Sequence, residues 1–300
     1  MTKDWEQIFS GWTRAEGIVE EGKAKQTLKR VTDALNKSSA LSLINLSVYP
    51  KGSYRNRTNV VQDSDIDVSV EATSFEHHEM IHAAEGMTIQ DFNLTPYTGP
   101  YEWWSLKDHV EQALVAEFGT ALVERGNKAI LVKATSSTLP ADVVPCATSV
   151  THTSATGSPH IGVQITPDTG PVIMNYPEQH RIEGLAKNSV TNKRYKRSVR
   201  ILKRLENEMV KNHVVTTVPS FLIESLVWNC SSSTFAGQKP WADTIRAVIV
   251  EAFNVTKTEE AAKTLLEANN IKFLFHASQK WTREQANQFL VSAYNYVGYS

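Results

Sequence analysis

Residues 51–68 read KGSYRNRTNVVQDSDIDV and lie between two stretches in which apolar and polar residues alternate. The alternation in residues 41–50, and again in residues 65–70, predicts two half-buried β-strands. Successive side chains of a strand point to opposite faces, so Asp65 and Asp67 share one face and the apolar residues beside them face a core. The sequence therefore predicts a strand, a Gly-Ser turn, a short connection and a second strand that carries two carboxylates.

The carboxylates and the turn together predict a site for a divalent cation and a phosphate. Adjacent carboxylates repel each other unless a cation lies between them, and hard oxygen ligands suit Mg²⁺ when substrate phosphates complete its shell. Gly52 allows close approach of the backbone, and Ser53 offers a hydroxyl and an N–H group at a predicted helix start. We expect Asp63 to shape the turn rather than to bind metal. Either motif alone would be an ordinary turn or strand edge.

This order of motifs resembles the nucleotidyltransferase superfamily that shares the catalytic core of DNA polymerase β. The resemblance implies a third carboxylate on a later strand. Asp142 meets that requirement, within the apolar segment LPADVVPC at residues 139–146. A carboxylate in such a segment is costly unless it is paired or bound to metal.

The rest of the chain predicts an α+β protein whose second half is helical. Periodicity predicts helices over residues 5–36, with a break at Gly17, and over 102–119, 189–212, 221–229, 240–254, 257–270 and 283–297. Strands are predicted over residues 129–134, 161–165 and 171–175. The basic residues of the 189–212 helix, which include Lys196, Arg200 and Lys203, are expected on its outer face.

Composition excludes several classes of function. The 300 residues carry a net charge of −1, which gives no general field to attract nucleic acid. No apolar run is long enough to span a membrane, and the first residues are too polar for a signal peptide. The two cysteines have no metal-type spacing and cannot form a disulfide framework. These observations predict a protein of the reducing cytoplasm.

A narrower resemblance rests on five segments that occur in order along the chain. They are residues 52–54 (GSY), 63–67 (DSDID), 139–144 (LPADVV), 175–177 (NYP) and 219–224 (PSFLIE). Together they resemble the bacterial cGAS/DncV-like nucleotidyltransferases, and within them the CdnE branch, which makes cyclic di- or trinucleotide messengers in anti-phage (CBASS) defence. The resemblance implies a polymerase-β-like core with a mixed sheet, packed on a helical C-terminal lobe, with the active site in the cleft between them. The predicted division is a bracing helix over residues 1–40, a core over 41–185 and a helical lobe over 186–300.

The resemblance also implies roles for individual residues. Gly52 and Ser53 would hold the donor triphosphate, and Lys203 and Ser220 match positions that grip phosphates. Asn175 matches the position at which uridine-using relatives read the pyrimidine, and its amide offers the donor and the acceptor that uracil requires. Arg55, Lys196 and Arg200 are weaker candidates for nucleotide binding. Three aspartates would bind two Mg²⁺ ions, for which Mn²⁺ is a substitute, and perform catalysis: Asp65, Asp67 and Asp142. Lys51 departs from the glutamine that the branch often has before Gly-Ser.

The same resemblance implies the partners. The expected substrates are ribonucleoside triphosphates, UTP and ATP among them. The expected downstream partner is an effector that binds the cyclic product, and CBASS ancillary proteins are candidate partners of the C-terminus. No nucleic-acid activator and no membrane are expected.

Three other interpretations stay open. The chain is alternatively another nucleotidyltransferase, which tails RNA or modifies a small molecule or a protein, although a primer-using enzyme should show a longer basic track. It is alternatively a catalytically silent nucleotide- or RNA-binding module, against which the three aspartates argue. The segment HEMIH (residues 78–82) fits the His-Glu-x-x-His zinc motif, but its short polar flanks favour coincidence.

Overall fold

The computed structural model describes residues 3–15, 18–60, 65–237 and 239–299, and these form two compact units. One unit, here called the sheet unit, comprises Gly17–Tyr54 and Ser64–Pro177. The other, here called the helical unit, comprises Met1–Glu16, Arg55–Asp63 and Glu178–Ser300. The short segment that follows the Gly-Ser motif therefore belongs with the helices. The division into residues 1–40, 41–185 and 186–300 stays a prediction about domains.

Within the described residues, a mixed sheet of seven strands forms the centre of the sheet unit. Strand order is β1-β2-β5-β4-β3, and β6 pairs with the second half of β5 and with β7. Among the strands of the described residues, β2 and β5 run parallel and the other pairs are antiparallel. The strands are β1 (Leu46–Pro50), β2 (Ile66–Met80), β3 (Val123–Arg125), β4 (Ile130–Val132), β5 (Ala141–His152), β6 (His160–Ile165) and β7 (Ile173–Asn175).

The apolar face of β2 explains why this sheet forms. Ile66, Val68 and Val70 are all fully buried in one core cluster. Helices α2 (Ile18–Asn36) and α4 (Leu106–Phe118) contribute side chains to the same cluster, among them Val31 and Val110. Burial of each such side chain contributes roughly 1.5–3 kcal/mol to folding. The predicted alternation is thus confirmed, and it leaves Asp67 on the face opposite this core.

The helical unit has a separate apolar core around a central helix. Helix α6 buries Tyr195, Val199, Leu202 and Leu205 in that core, together with Phe9 of the first helix. The helices of this unit are α1 (Trp5–Trp12), α5 (Pro177–Val190), α6 (Arg194–Lys211), α7 (Ser220–Asn229), α8 (Trp241–Thr256), α9 (Glu259–Ala262) and α10 (Arg283–Val297). A short helix, α3 (Gly52–Asn56), begins in the sheet unit and ends in the helical unit. No helix in the described part of the chain is both long and apolar enough to cross a membrane.

Several predicted boundaries were wrong. The first strand begins at Leu46, after a 3₁₀ turn at Leu41–Leu43. The N-terminal segment is divided into two helices, as the predicted break implies; Gly17, the proposed position of the break, lies outside the described residues, as does Asp63. Helix α5 was missed, because its polar sequence has no clear apolar stripe. The helix expected over residues 257–270 ends at Ala262, and Asn270 adopts a positive φ of 59° that a helix does not allow.

The zinc interpretation fails on secondary structure. A His-Glu-x-x-His site needs both histidines one turn apart on a helix. Here His78 lies on β2, whereas His82 lies in a 3₁₀ turn after that strand has ended. The His78 Nδ1 atom lies 3.0 Å from Nε2 of His152 on the adjacent strand. The structure therefore assigns this segment to a strand and the turn that follows it.

Candidate active site

The Gly-Ser motif lies where β1 ends and α3 begins, directly beside Asp67. Gly52 has a φ of +63°, a conformation that favours glycine, and a Cβ at this position would overlap the Asp67 Oδ2 atom. The Lys51 N–H donates to the Asp67 carbonyl oxygen over 2.9 Å, which ties the turn to β2. The glycine is thus required both by backbone conformation and by the carboxylate beside it.

Asp67 and Asp142 face each other across two adjacent strands. Each is the second residue of its strand, and the parallel register of β2 and β5 pairs them directly. Asp65 is exposed and comes immediately before β2. The structure therefore brings the three predicted aspartates to the same end of two neighbouring strands.

The electrostatics of this group favour a cation. Burial raises the pKa of Asp142, the negative charge of Asp65 raises it further, and Lys51 opposes both. An acid that is harder to ionise in the fold than in water is one whose charge lacks full compensation. Carboxylate oxygens are the donors that Mg²⁺ prefers, so the donor chemistry fits this ion. Among the described residues, no group of three or more His, Cys, Asp or Glu could hold a metal ion by itself.

The structure places Asn175 at the end of β7, opposite Val163 of β6. The residue is half-buried. Within the described part of the chain, no hydrogen bond of its side-chain amide is found. Its predicted role in reading a base stays a prediction.

The remaining predicted residues belong to the helical unit, and three of them are not where the sequence placed them. Lys196, Arg200 and Lys203 were expected on the outer face of their helix, but all three are buried. The Arg200 guanidinium donates to the backbone carbonyls of Thr13 and Arg57. Long basic side chains can bury their stems while the charged head reaches polar groups, which apolar periodicity does not reveal.

Lys203 and Ser220 differ in exposure. Lys203 is only 2% exposed, and its Nζ atom donates to the Thr58 carbonyl over 3.2 Å. Ser220 is exposed and is the first residue of α7, preceded by Pro219 as the N-cap. Arg55 forms an ion pair of 2.5 Å with Glu178. The roles of these residues in nucleotide binding stay predictions.

Sequence reasoning missed a buried polar network around Glu224. This carboxylate accepts a hydrogen bond from the Thr58 hydroxyl over 2.9 Å and lies 2.8 Å from His180 Nε2. The Asn56 amide contacts the same imidazole at 3.0 Å. Burial raises the pKa of Glu224, but His180, Thr58 and Lys203 together lower it below the usual value. The signal was present, because Glu224 interrupts an apolar helix just as Asp142 interrupts an apolar strand.

Comparisons with known proteins agree with this geometry. Residues 182–298 match the model of the cGAS/DncV-like nucleotidyltransferase C-terminal helical domain. A relative from Legionella pneumophila, named cyclic dipyrimidine nucleotide synthase CdnE, is 33% identical over 99% of this chain and 99% of its own length. The chain belongs to the cGAS/DncV-like nucleotidyltransferases. It is a CdnE-like enzyme of this family, a nucleotidyltransferase of the cyclic-nucleotide-synthase type.

Two solved structures share the whole fold. The Elizabethkingia meningoseptica CdnE cyclic dinucleotide synthase, solved with GTP and Apcpp, is 31% identical and superposes with a TM-score of 0.80 over 98% of this chain and 99% of that one. The Rhodothermus marinus CdnE c-UMP-AMP synthase, solved with Apcpp and Upnpp, is 26% identical, with a TM-score of 0.83 over 98% and 97%. The predicted α+β class with a mixed sheet and a helical C-terminal half is confirmed.

Proposed function

We propose that this enzyme makes a cyclic dinucleotide that contains uridine from ribonucleoside triphosphates, in two successive phosphoryl transfers that depend on Mg²⁺. The observation that carries the proposal is the direct pairing of Asp67 with Asp142 beside Gly52. Phosphoryl transfer needs little covalent help from a protein; it needs in-line positioning and neutralised charge.

The three aspartates are the residues that would hold the metal. Mg²⁺ is usually bound through one or two carboxylates together with substrate phosphates, so the carboxylates of Asp65, Asp67 and Asp142 need not enclose an ion by themselves. Bound Mg²⁺ would neutralise the triphosphate and stabilise the charge of the transition state. Asp142, whose pKa is raised, is the carboxylate best suited to accept the proton of the attacking hydroxyl. Gly52 leaves room for the Asp67 carboxylate, which a side chain at this position would displace.

The uridine assignment rests on Asn175 and on the relatives. The Legionella relative is named a dipyrimidine synthase, and the Rhodothermus enzyme a c-UMP-AMP synthase. An amide in the position of Asn175 can donate to a uracil carbonyl and accept from its N3–H group. A 31% identical relative is named a cyclic dipurine nucleotide synthase, so membership of the family does not decide the base. We further propose that the product serves anti-phage signalling in the cytoplasm by binding an effector protein.

Product analysis tests this proposal. The purified enzyme is incubated with Mg²⁺ and all four ribonucleoside triphosphates, treated with phosphatase, and its resistant products are identified by mass. We expect a cyclic product that contains uridine, which disappears with EDTA and in an Asp65→Ala variant. A ring that contains only purines would contradict the base assignment, and linear tails would contradict cyclisation. No product with either Mg²⁺ or Mn²⁺ would contradict the activity as proposed.

A further inference from the structure

Strand β6 carries a buried glycine against the segment that holds Asn175. A Cβ on Gly162 would lie 2.5 Å from the Asn175 carbonyl oxygen and 2.7 Å from a ring carbon of Tyr176. Favourable contacts between non-bonded heavy atoms occur at about 3.5–4.0 Å. A side chain at position 162 would therefore displace Asn175, Tyr176 or both.

The neighbours of Asn175 cannot move away easily. The Tyr176 ring is buried, and its hydroxyl lies 3.1 Å from the Thr151 hydroxyl of β5. On the other side, the Ser149 hydroxyl lies 3.7 Å from the Met174 sulfur. The backbone of Asn175 itself is in register with Val163. The space at Gly162 is thus filled by a segment that is fixed at both ends.

The same contacts fix the direction of the Asn175 amide. Side chains alternate along a strand, so the Asn175 side chain points away from the face on which Met174 and Tyr176 contact β5. Hydrogen bonds prefer donor–hydrogen–acceptor angles above about 150° and weaken steeply below about 120°. A shift of the Asn175 backbone would therefore misdirect the amide towards its ligand.

We infer that Gly162 is a positioning residue for base selection. Because Gly162 has no side chain, the backbone of Asn175 can lie close to it, and this backbone position determines the preference for uridine. The inference rests on the proposed function, in which Asn175 reads the base. The role inferred for Gly162 needs no contact between Gly162 and the substrate. It acts by leaving room for the Asn175 carbonyl and the Tyr176 ring.

The test compares Gly162→Ala with two reference variants. Gly22→Ala is the matched control, because a Cβ there meets no atom within 4 Å and α2 tolerates alanine well. Asn175→Ala reports whether the amide reads the base at all. The measurement is the incorporation of UTP against CTP and ATP in competition, together with KM and kcat for each nucleotide.

We expect Gly162→Ala to reduce the preference for UTP by about tenfold, the upper range for one well-placed hydrogen bond. The change should appear as a raised KM for UTP, with the kinetic constants for ATP close to those of the unaltered enzyme. Gly22→Ala should leave the preference unchanged. An equal loss for all nucleotides in Gly162→Ala would mean a purely structural role and would overturn the inference.

The two proposals fail in different ways. If Asn175→Ala leaves the preference unchanged, the uridine assignment is wrong. If Asn175→Ala changes the preference and Gly162→Ala does not, the inference about Gly162 alone is wrong. Should Gly162→Ala not fold, Tyr176→Phe continues the test, because it removes the hydroxyl that contacts Thr151 and loosens the same segment. An unchanged preference for UTP in that variant would overturn the inference.

Discussion

Acidic side chains in the sheet unit and in the helical unit have opposite electrostatic environments. At the start of β2 and β5, like charges are placed side by side, and Asp142 is made harder to ionise by burial and by Asp65. In the helical unit, the buried carboxylate of Glu224 is surrounded by hydrogen-bond donors and a lysine, and its pKa is lowered. The pKa of Asp142 is thus raised and that of Glu224 lowered, and under the proposed function a bound cation would compensate the first charge.

This difference in charge compensation is the one expected between a ligand-binding site and a structural hydrogen-bond network. A like-charged group lowers the stability of the fold and is useful only when a ligand compensates it. A compensated buried carboxylate holds secondary-structure elements together, and here it links Thr58 and His180 to α7. Substitutions in the two groups should therefore affect activity and stability in opposite proportion.

The largest effect is expected for Asp67→Asn. Metal ions supply several kcal/mol of charge stabilisation in a transition state, so loss of one ligand should reduce the rate of nucleotide transfer by about a thousandfold. The melting temperature should change far less than the activity, because asparagine keeps the size and shape of the aspartate side chain. The readout is product formation beside thermal unfolding. Asp33→Asn, at a partly exposed position of α2, is the control and should keep full activity. Activity of the Asp67→Asn variant above about a tenth of normal would contradict the assignment of Asp67 to the active site.

Glu224→Ala should show the reverse pattern. Removal of one partner from a buried charged network costs about 3–5 kcal/mol of folding free energy, and His180 and Thr58 would lose their acceptor. Denaturant unfolding followed by fluorescence measures the change. Glu183→Ala on α5 is the matched control, since that side chain is partly exposed and should cost far less. A loss below about 1 kcal/mol would mean that the network is not structural.

A smaller effect is expected at an ion-paired carboxylate of the sheet unit. Asp168 accepts hydrogen bonds from Arg125 and Lys107, which lower its pKa to about 2. Because the pKa of Asp168 is lowered in the folded protein, its contribution to the free energy of unfolding is complete above the unfolded pKa of about 3.9. That contribution is lost as the pH falls from there through the folded pKa. Because Asp168 is partly exposed, Asp168→Asn should cost about 1 kcal/mol at neutral pH. The difference from the unaltered protein should therefore shrink as the pH falls and vanish below about pH 2.

The sequence predicted the sheet group better than the helical network for a physical reason. Strand alternation and the order of motifs are local patterns, so the positions of Gly52, Asp67 and Asp142 followed from short stretches. The environment of Glu224 depends on Asn56, Thr58 and His180, which are more than 40 residues away in the chain and come together only by folding. The burial of Lys196, Arg200 and Lys203 was missed for the same reason: their partners are backbone carbonyls, or charges, contributed by other segments.

The smallest effect, a gain in stability, is expected for Asp142→Asn. The raised pKa of Asp142 means that its ionised form is less favourable in the folded than in the unfolded protein, so at neutral pH the charge destabilises the fold. Asparagine removes that charge, and the melting temperature in EDTA should rise slightly above that of the unaltered protein. The gain should shrink towards pH 3, where the aspartate of both states becomes protonated. Added Mg²⁺ should also shrink it, because an ion that binds only the folded state stabilises the unaltered protein. A variant that is less stable in EDTA would show that Asp142 is already compensated within the protein, and the contrast with Glu224 would then disappear.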